Sequence, residues 1–192
     1  MYPTEKDYLE ALRTKEVDLE RMRPRVSWLN TLDTALGQGF DVFTPRMPSG
    51  DNAQYAQWAS WFSRIMTALD RPVVLVGHSL GAMFLVKYLS EQETGHDIQG
   101  LLLVAGRYDD PKCTHPHTSF TLEGDVSSLT KKAERVVFFH SADDPVVPYE
   151  SFERFRTAAP NADFLAFEGR GHFLDDPFPE LISVIKEVSL RS

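Results

Sequence analysis

From residue 40 onward the chain alternates short apolar runs with longer stretches of helical periodicity, and this alternation limits the fold more than any other feature. Five runs read as strands: residues 40–44 (FDVFT), 73–76 (VVLV), 101–105 (LLLVA), 136–140 (VVFFH) and 164–167 (FLAF). Their near-continuous hydrophobicity suits strands covered by helices on both faces, as in a parallel sheet. Between the first two, Tyr55, Trp58, Phe62, Ile65, Met66 and Leu69 recur at three- and four-residue steps and lay one apolar stripe along a helix. Such a stripe is read as core packing rather than as a ligand platform. Further helices are expected after Ser79 (GAMFLVKYLSEQ), over about 149–158, and from about 178 to 190. The expected fold class is therefore α/β: a compact, mostly parallel sheet of about five strands with helices on both faces. A length of 192 residues, 42% hydrophobic and 25% charged, points to one domain over residues 1–192.

Composition removes several function classes. The longest apolar runs, such as 73–76 and 101–105, fall far short of the roughly 18–20 residues a bilayer-spanning helix needs. The first twenty residues carry acidic side chains throughout and no apolar core segment, unlike a secretory signal, so a cytoplasmic protein without a membrane partner is expected. A net charge of -8, with no long Lys/Arg run, would repel a polyanion, so nucleic acid is not an expected partner. The single cysteine, Cys113, excludes an intramolecular disulfide and any CxxC site.

The longest connection between expected strands runs from 106 to 132, is broken by Pro111 and Pro116, and has the helical pattern only near 125–133. Long connections of this kind often cover active sites. Cys113, His115 and His117 lie in it, but their tight spacing has no clear fourth ligand elsewhere, so they read as an exposed loop. No metal or cofactor is expected.

The chemistry concentrates at Gly77-His78-Ser79-Leu80-Gly81, placed directly after VVLV and directly before a helical pattern. This is the G-x-S-x-G pattern of a nucleophile elbow in the context it requires. A serine at a tight strand-to-helix turn sits in strained backbone, and neighbours two residues to either side must be glycine-sized to avoid collision. Ser79 Oγ would then project from the carboxyl edge of the sheet to attack a carbonyl carbon. The Leu80 backbone N–H, at a helix N-terminus, would stabilise the resulting oxyanion. A hydroxyl needs a base to take its proton and a carboxylate to orient that base, in the chain order Ser, acid, His. Both partners follow later strands in that order. After VVFFH comes Ser141-Ala142-Asp143-Asp144-Pro145-Val146-Val147-Pro148, and after FLAF comes Glu168-Gly169-Arg170-Gly171-His172-Phe173. The acid is Asp143 or Asp144; the spacing Asp-x-x-Val-Pro selects Asp144, leaving Asp143 as a loop residue. His172 is the base. His78 points away from its neighbour Ser79 and reads as a packing or hydrogen-bonding residue, while His140 would support the acid loop.

GHSLGAMFLVKYLS, HSADDPVVP and GRGHF resemble the small α/β-hydrolase family of serine hydrolases that includes the retinoblastoma-binding serine hydrolase and its bacterial relatives. The resemblance extends over nearly the whole chain, MPSGDNAQYAQWASWF and SFTLEGDVSSL included. It implies a compact α/β-hydrolase fold without a large cap domain, acting on small carboxylic esters, and it carries Ser79, Asp144 and His172 over as the catalytic residues. Two other readings keep the same residues: a partner-binding protein with little turnover, or an amidase or peptidase, since specificity lies in pocket walls such as the 106–132 loop.

The pattern breaks at the start. Members of that family begin with a buried strand ending in His-Gly, whose loop supplies a second oxyanion N–H and which lies between the first two strands named above. Here the first 39 residues contain no apolar run of four and no His-Gly pair occurs; Thr4 instead caps a helical pattern at Tyr8, Leu9 and Leu12. The expectation is that Met1 is an internal methionine of a longer product. Otherwise the sheet must close up or borrow a strand, and a missing donor would cost about 10²–10³ in rate.

Overall fold

A computed structural model of the chain describes residues 2, 4–19, 26–109 and 118–190. Four strands form one wholly parallel sheet in the order β1 (Val73–His78), β2 (Ile98–Val104), β3 (Arg135–Ser141) and β4 (Asp163–Phe167). Parallel neighbours need a crossover, and the connections run over the sheet faces as α4 (Leu80–Glu91), α5 (Leu129–Lys132) and α6 (Tyr149–Ala158). Ahead of the sheet come α1 (Glu5–Thr14), α2 (Trp28–Leu36) and α3 (Tyr55–Ala68), and α7 (Pro179–Ser189) closes the chain. No helix among the described residues is long and apolar enough to cross a membrane.

Two cores result, one on each face. On one, Trp58, Phe62 and Met66 of α3 and the nearly all-apolar α4 pack on Leu75, Leu101, Leu103, Val136 and Phe138. On the other, Trp28, Leu32 and Leu36 of α2 join Leu181, Val184, Ile185 and Val188 of α7 over Leu102, Val104, Val137 and Phe139. Because side chains alternate along a strand, one apolar run supplies both cores at once, which is why β2 is buried at every position. The expected stripe on α3 is core packing: Trp58 and Phe62 each meet Phe84 edge-on at 5.6 and 5.3 Å between centroids.

Part of the 106–132 connection is tied to α4. Phe120 and Leu122 are buried there, and buried Lys87 Nζ donates to Glu91 and to the Thr121 carbonyl, both at 2.7 Å. The helical stretch expected near 125–133 is a short 3₁₀ turn, Val126–Ser128, running into α5, with Asp125 accepting from Ser127 N–H at 2.9 Å. Cys113, His115 and His117 lie outside the described residues.

The strand count differs from expectation. Residues 40–44 belong to no sheet, so among the described residues the sheet has four strands rather than about five. A strand is defined by hydrogen bonds to a partner, and a cavity separates this segment from the nearest edge, β1. In the other direction, α2 is a helix the sequence reading did not anticipate. The opening pattern does form a helix: Thr4 Oγ1 accepts from Asp7 N–H at 3.2 Å, although α1 buries none of its residues.

Candidate active site

The loops at the carboxyl ends of β1, β3 and β4 converge. Ser79, between β1 and α4, has φ 53° and ψ −116°, a conformation that costs a non-glycine residue about 1–3 kcal/mol and is held by its surroundings. Its N–H donates to Val104 C=O at 2.8 Å, and its own C=O accepts from Ala82 and Met83 N–H to start the helix. The turn is tight on one side. A Cβ on Gly77 would sit 2.7 Å from Gly81 O and 2.8 Å from the Ala82 backbone, so only glycine fits. Gly81 departs from expectation, since nothing lies within 4 Å of a Cβ placed there.

Ser79 Oγ lies 2.9 Å from His172 Nε2, and His172 Nδ1 lies 2.8 Å from Asp144 Oδ2. A carboxylate can only accept, so Nδ1 carries the hydrogen and Nε2 offers its lone pair to the Ser79 hydroxyl. The Asp144 side chain has no exposed surface, and its other oxygen accepts from Val146 and Val147 N–H at 2.8 and 3.0 Å. The structure thus brings Asp144, rather than Asp143, to the imidazole. Leu80, first residue of α4, carries one of the N–H groups that a helix start leaves without an intrahelical partner.

Asp143 does something different. Its Oδ1 accepts from the Ser141 hydroxyl and from Gly169 and Gly171 N–H at 2.9 and 3.3 Å, while Ser141 Oγ accepts from Arg170 N–H at 3.2 Å. The Ser141 hydrogen bond, with the two glycine amides, holds the Asp143 carboxyl below its ordinary value. This pair laces the β3 loop to the β4 loop, so the carboxylate of Asp144 and the ring of His172 are positioned by one bonded unit. The second loop needs left-handed backbone at Gly169, Gly171 and Phe173 to make its turn.

Two further residues support the His172 segment and a third the Asp144 loop. His78 Nε2 donates to the His172 carbonyl at 2.8 Å, with the two rings 4.9 Å apart, so it faces away from Ser79 as expected and holds the base from behind. Trp28 Nε1 donates to the Phe173 carbonyl at 2.8 Å and packs edge-on to His78. Trp28 was not anticipated; the Ser27 cap, the four-residue steps Trp28, Leu32, Leu36 and the closing Gly37 were the signal. His140 donates to the Val147 carbonyl at 3.0 Å and so braces the acid loop. Burial pushes both His78 and His140 below the usual histidine value, keeping each neutral as a donor.

Comparison with known proteins places this geometry in context. Serine hydrolase RBBP9 of Rattus norvegicus is 27% identical over 152 residues, covering 78% of each chain. Putative hydrolase YdeN of Bacillus subtilis (strain 168) is 25% identical over 150 residues, 78% of this chain and 77% of that one. The structure of the B. subtilis ydeN gene product superposes with a TM-score of 0.66, at 21% identity over 76% of this chain and 81% of that one. The esterase RhEst1 from Rhodococcus sp. shares the fold with a TM-score of 0.53, at 16% identity over 72% and 74%. The family model described as serine hydrolase matches residues 23–178. That span takes in every element that carries Ser79, Asp144 and His172, and with it this chain belongs to the serine hydrolase family.

Proposed function

We propose that the chain hydrolyses small carboxylic esters through an acyl-enzyme. The observation that carries this reading is the hydrogen-bonded chain from Ser79 Oγ through His172 to Asp144, 2.9 and 2.8 Å long. As Ser79 Oγ bonds to the ester carbonyl carbon, its proton passes to His172 Nε2 and the carbonyl π pair moves onto oxygen, facing the Leu80 N–H. Collapse breaks the C–O bond to the alcohol, which leaves with the proton from Nε2. A water then gives a proton to Nε2 and its oxygen to the acyl carbon, and the acid departs as Ser79 recovers its hydrogen. Asp144 keeps the proton on Nδ1 throughout and stabilises the transient imidazolium. Exposed Val146 and Leu174, next to the acid and base loops, offer apolar surface to a short acyl or alkyl group. The fold is shared with the esterase RhEst1, which agrees with this choice of bond.

Replacing Ser79 by Ala is expected to abolish turnover of p-nitrophenyl acetate with an unchanged circular dichroism spectrum; activity at the wild-type level would refute the assignment. A second reading, a partner-binding protein with little turnover, is favoured by the open edge of β1, which among the described residues pairs only with β2. A fluorophosphonate probe separates the two: rapid labelling at Ser79 supports the esterase, and no labelling supports the binding protein.

A further inference from the structure

The loop that carries His172, residues 168–178, runs from the end of β4 to the start of α7 and is held on three sides. On the β3 side, Asp143 accepts from Gly169 and Gly171 N–H, and Ser141 Oγ accepts from Arg170 N–H. On the α2 side, Trp28 Nε1 donates to the Phe173 carbonyl, and Thr31 Oγ1 donates to Asp176 Oδ1 at 2.7 Å. On the α7 side it is the Arg170 side chain that reaches across.

Arg170 bonds in three directions. Its N–H goes to Ser141 Oγ in the acid loop. Its C=O accepts from Phe173 N–H at 2.9 Å, which closes a turn with Gly171 and His172 at the centre. Its guanidinium meets the far end of the loop: Nη1 and Nη2 each donate to the Pro177 carbonyl at 3.3 Å, and Nη2 also lies 3.3 Å from Glu180 Oε2. The guanidinium carbon stands 4.9 Å from the centre of the Phe178 ring and 5.9 Å from that of Phe173.

The ion pair does not account for this arrangement. The Arg170 and Glu180 side chains are 26% and 45% exposed, and pairs so open to water contribute little. A cation is also out of place beside the start of a helix, where peptide dipoles leave positive partial charge, and Glu180 in the first turn of α7 offsets it. What a guanidinium alone supplies is a flat face and a fork of donors. It lies over Phe178, which is 1% exposed, and offers two N–H groups to one carbonyl. That tie matters because the loop turns on Gly169 and Gly171, at φ 76° and 48°, backbone with more freedom than other residues have. A swing there carries the His172 ring away from Ser79 and Asp144 together, and a misplacement of about 1 Å costs about a hundredfold in rate.

We infer that Arg170 is a positioning residue for His172: its guanidinium clips Pro177 and Phe178 to the turn on which the imidazole stands, and so sets the reach from Nε2 to Ser79 Oγ. It acts through the loop and not by contact with the reacting atoms. Its effect on rate rests on the esterase reading; its effect on the geometry of the loop does not.

The test compares Arg170→Ala, Arg170→Lys and Glu180→Gln with wild type. One measurement is fluorophosphonate labelling, by rate and by final extent; the other is the proton NMR resonance of His172 Nδ1–H, which needs no turnover. Arg170→Ala is expected to label at least about tenfold more slowly but to the same final extent, with kcat on p-nitrophenyl acetate falling alike and KM within about twofold. A merely structural loss would lower the extent instead. The Nδ1–H resonance of this variant is expected to broaden or vanish while the Leu101–Leu103 amides of β2 keep their shifts. Arg170→Lys, with the charge but not the flat fork, should slow labelling about threefold, and Glu180→Gln should stay within about twofold of wild type. Labelling of Arg170→Ala at the wild-type rate would overturn the inference, as would a loss confined to the final extent. So would a loss in Glu180→Gln equal to that in Arg170→Ala, because the ion pair would then be the tie. If Arg170→Ala does not fold, Arg170→Lys decides: slower labelling supports the inference and the wild-type rate overturns it. If wild type itself is not labelled, the esterase reading fails separately and the resonance decides. Lost in Arg170→Ala and kept in Glu180→Gln, it supports the positioning role; unchanged in both, it overturns it.

Discussion

Ser79 stands between two surroundings built to different standards. Toward β3 and β4 every polar atom that matters is tied down: Asp144 by two backbone amides and the imidazole, Asp143 by a serine and two glycines, His172 by His78 from behind. Toward the outer edge of β1 there is a cavity where backbone groups of the nucleophile strand face open space. His172 and Asp144 are therefore held in place, while among the described residues the outer edge of β1 has no neighbouring strand. Under the proposed function, disturbance of the two sides would not cost equally. A misplaced base removes activation of the hydroxyl altogether, whereas one absent donor costs about 10²–10³.

The strongest way to break the ordered side is Asp144→Asn. The amide can present N–H instead of an acceptor to Nδ1, so the imidazole turns to the wrong tautomer, and a loss of about 10⁴ in kcat or in the rate of fluorophosphonate labelling is expected. Asp143→Asn, one residue away, should lower the same rates by no more than about tenfold, since it loosens the lacing between loops without touching the ring. Equal losses in the two variants, read from initial rates on p-nitrophenyl acetate, would show that the roles of the two aspartates are not separate.

The two motif glycines sharpen the contrast in stability rather than rate. At Gly77 an added methyl meets the backbone of the next turn at 2.7 to 2.8 Å, and backbone cannot yield as a flexible side chain can. Gly77→Ala is expected to cost about 1–3 kcal/mol in urea unfolding, the range of overpacked sites. Gly81→Ala adds its methyl to empty space at the start of α4 and should stay within about 0.5 kcal/mol of wild type. A Gly81 variant as damaged as the Gly77 variant would mean that the space beside β1 is already filled in solution.

How far the sequence could be read follows the same division. That Ser79, His172 and Asp144 meet, with Asp144 rather than Asp143 on the ring, was legible because each depends on a short local pattern: glycine-bounded turns, and an aspartate whose Oδ1 closes on the amides two and three residues on. The helices α3, α4, α6 and α7 were legible from periodicity, and four of the five apolar runs do pair as strands. Residues 40–44 were misjudged because pairing is a property of two segments and not of one. The helix of Trp28 had its own signal in the Ser27 cap and the four-residue steps, but the role of Trp28 depends on Phe173, 145 positions away, which no spacing rule connects.

The smallest expected effect concerns His78, where the two surroundings meet: its ring supports His172, and its backbone lies on the open edge. Burial keeps the ring below the usual histidine value, with the His172 carbonyl, the His172 ring and Asp144 as secondary influences. A histidine with a depressed folded-state value binds its proton more readily when unfolded. Its contribution to stability is therefore complete above the ordinary value of 6.5 and declines as pH falls from there through the folded-state value. His140, depressed in the same direction, adds to the decline. His78→Phe retains a ring against Trp28 but removes the donor to the His172 carbonyl, a loss of about 1 kcal/mol at pH 7.5. Between pH 7.5 and 5.5 the urea midpoint of this variant should fall less than that of the wild type, while His140 maintains part of the slope. Identical slopes would show that His78 binds its proton as readily in the folded state as in the unfolded one, and that its hold on His172 does not depend on a neutral ring.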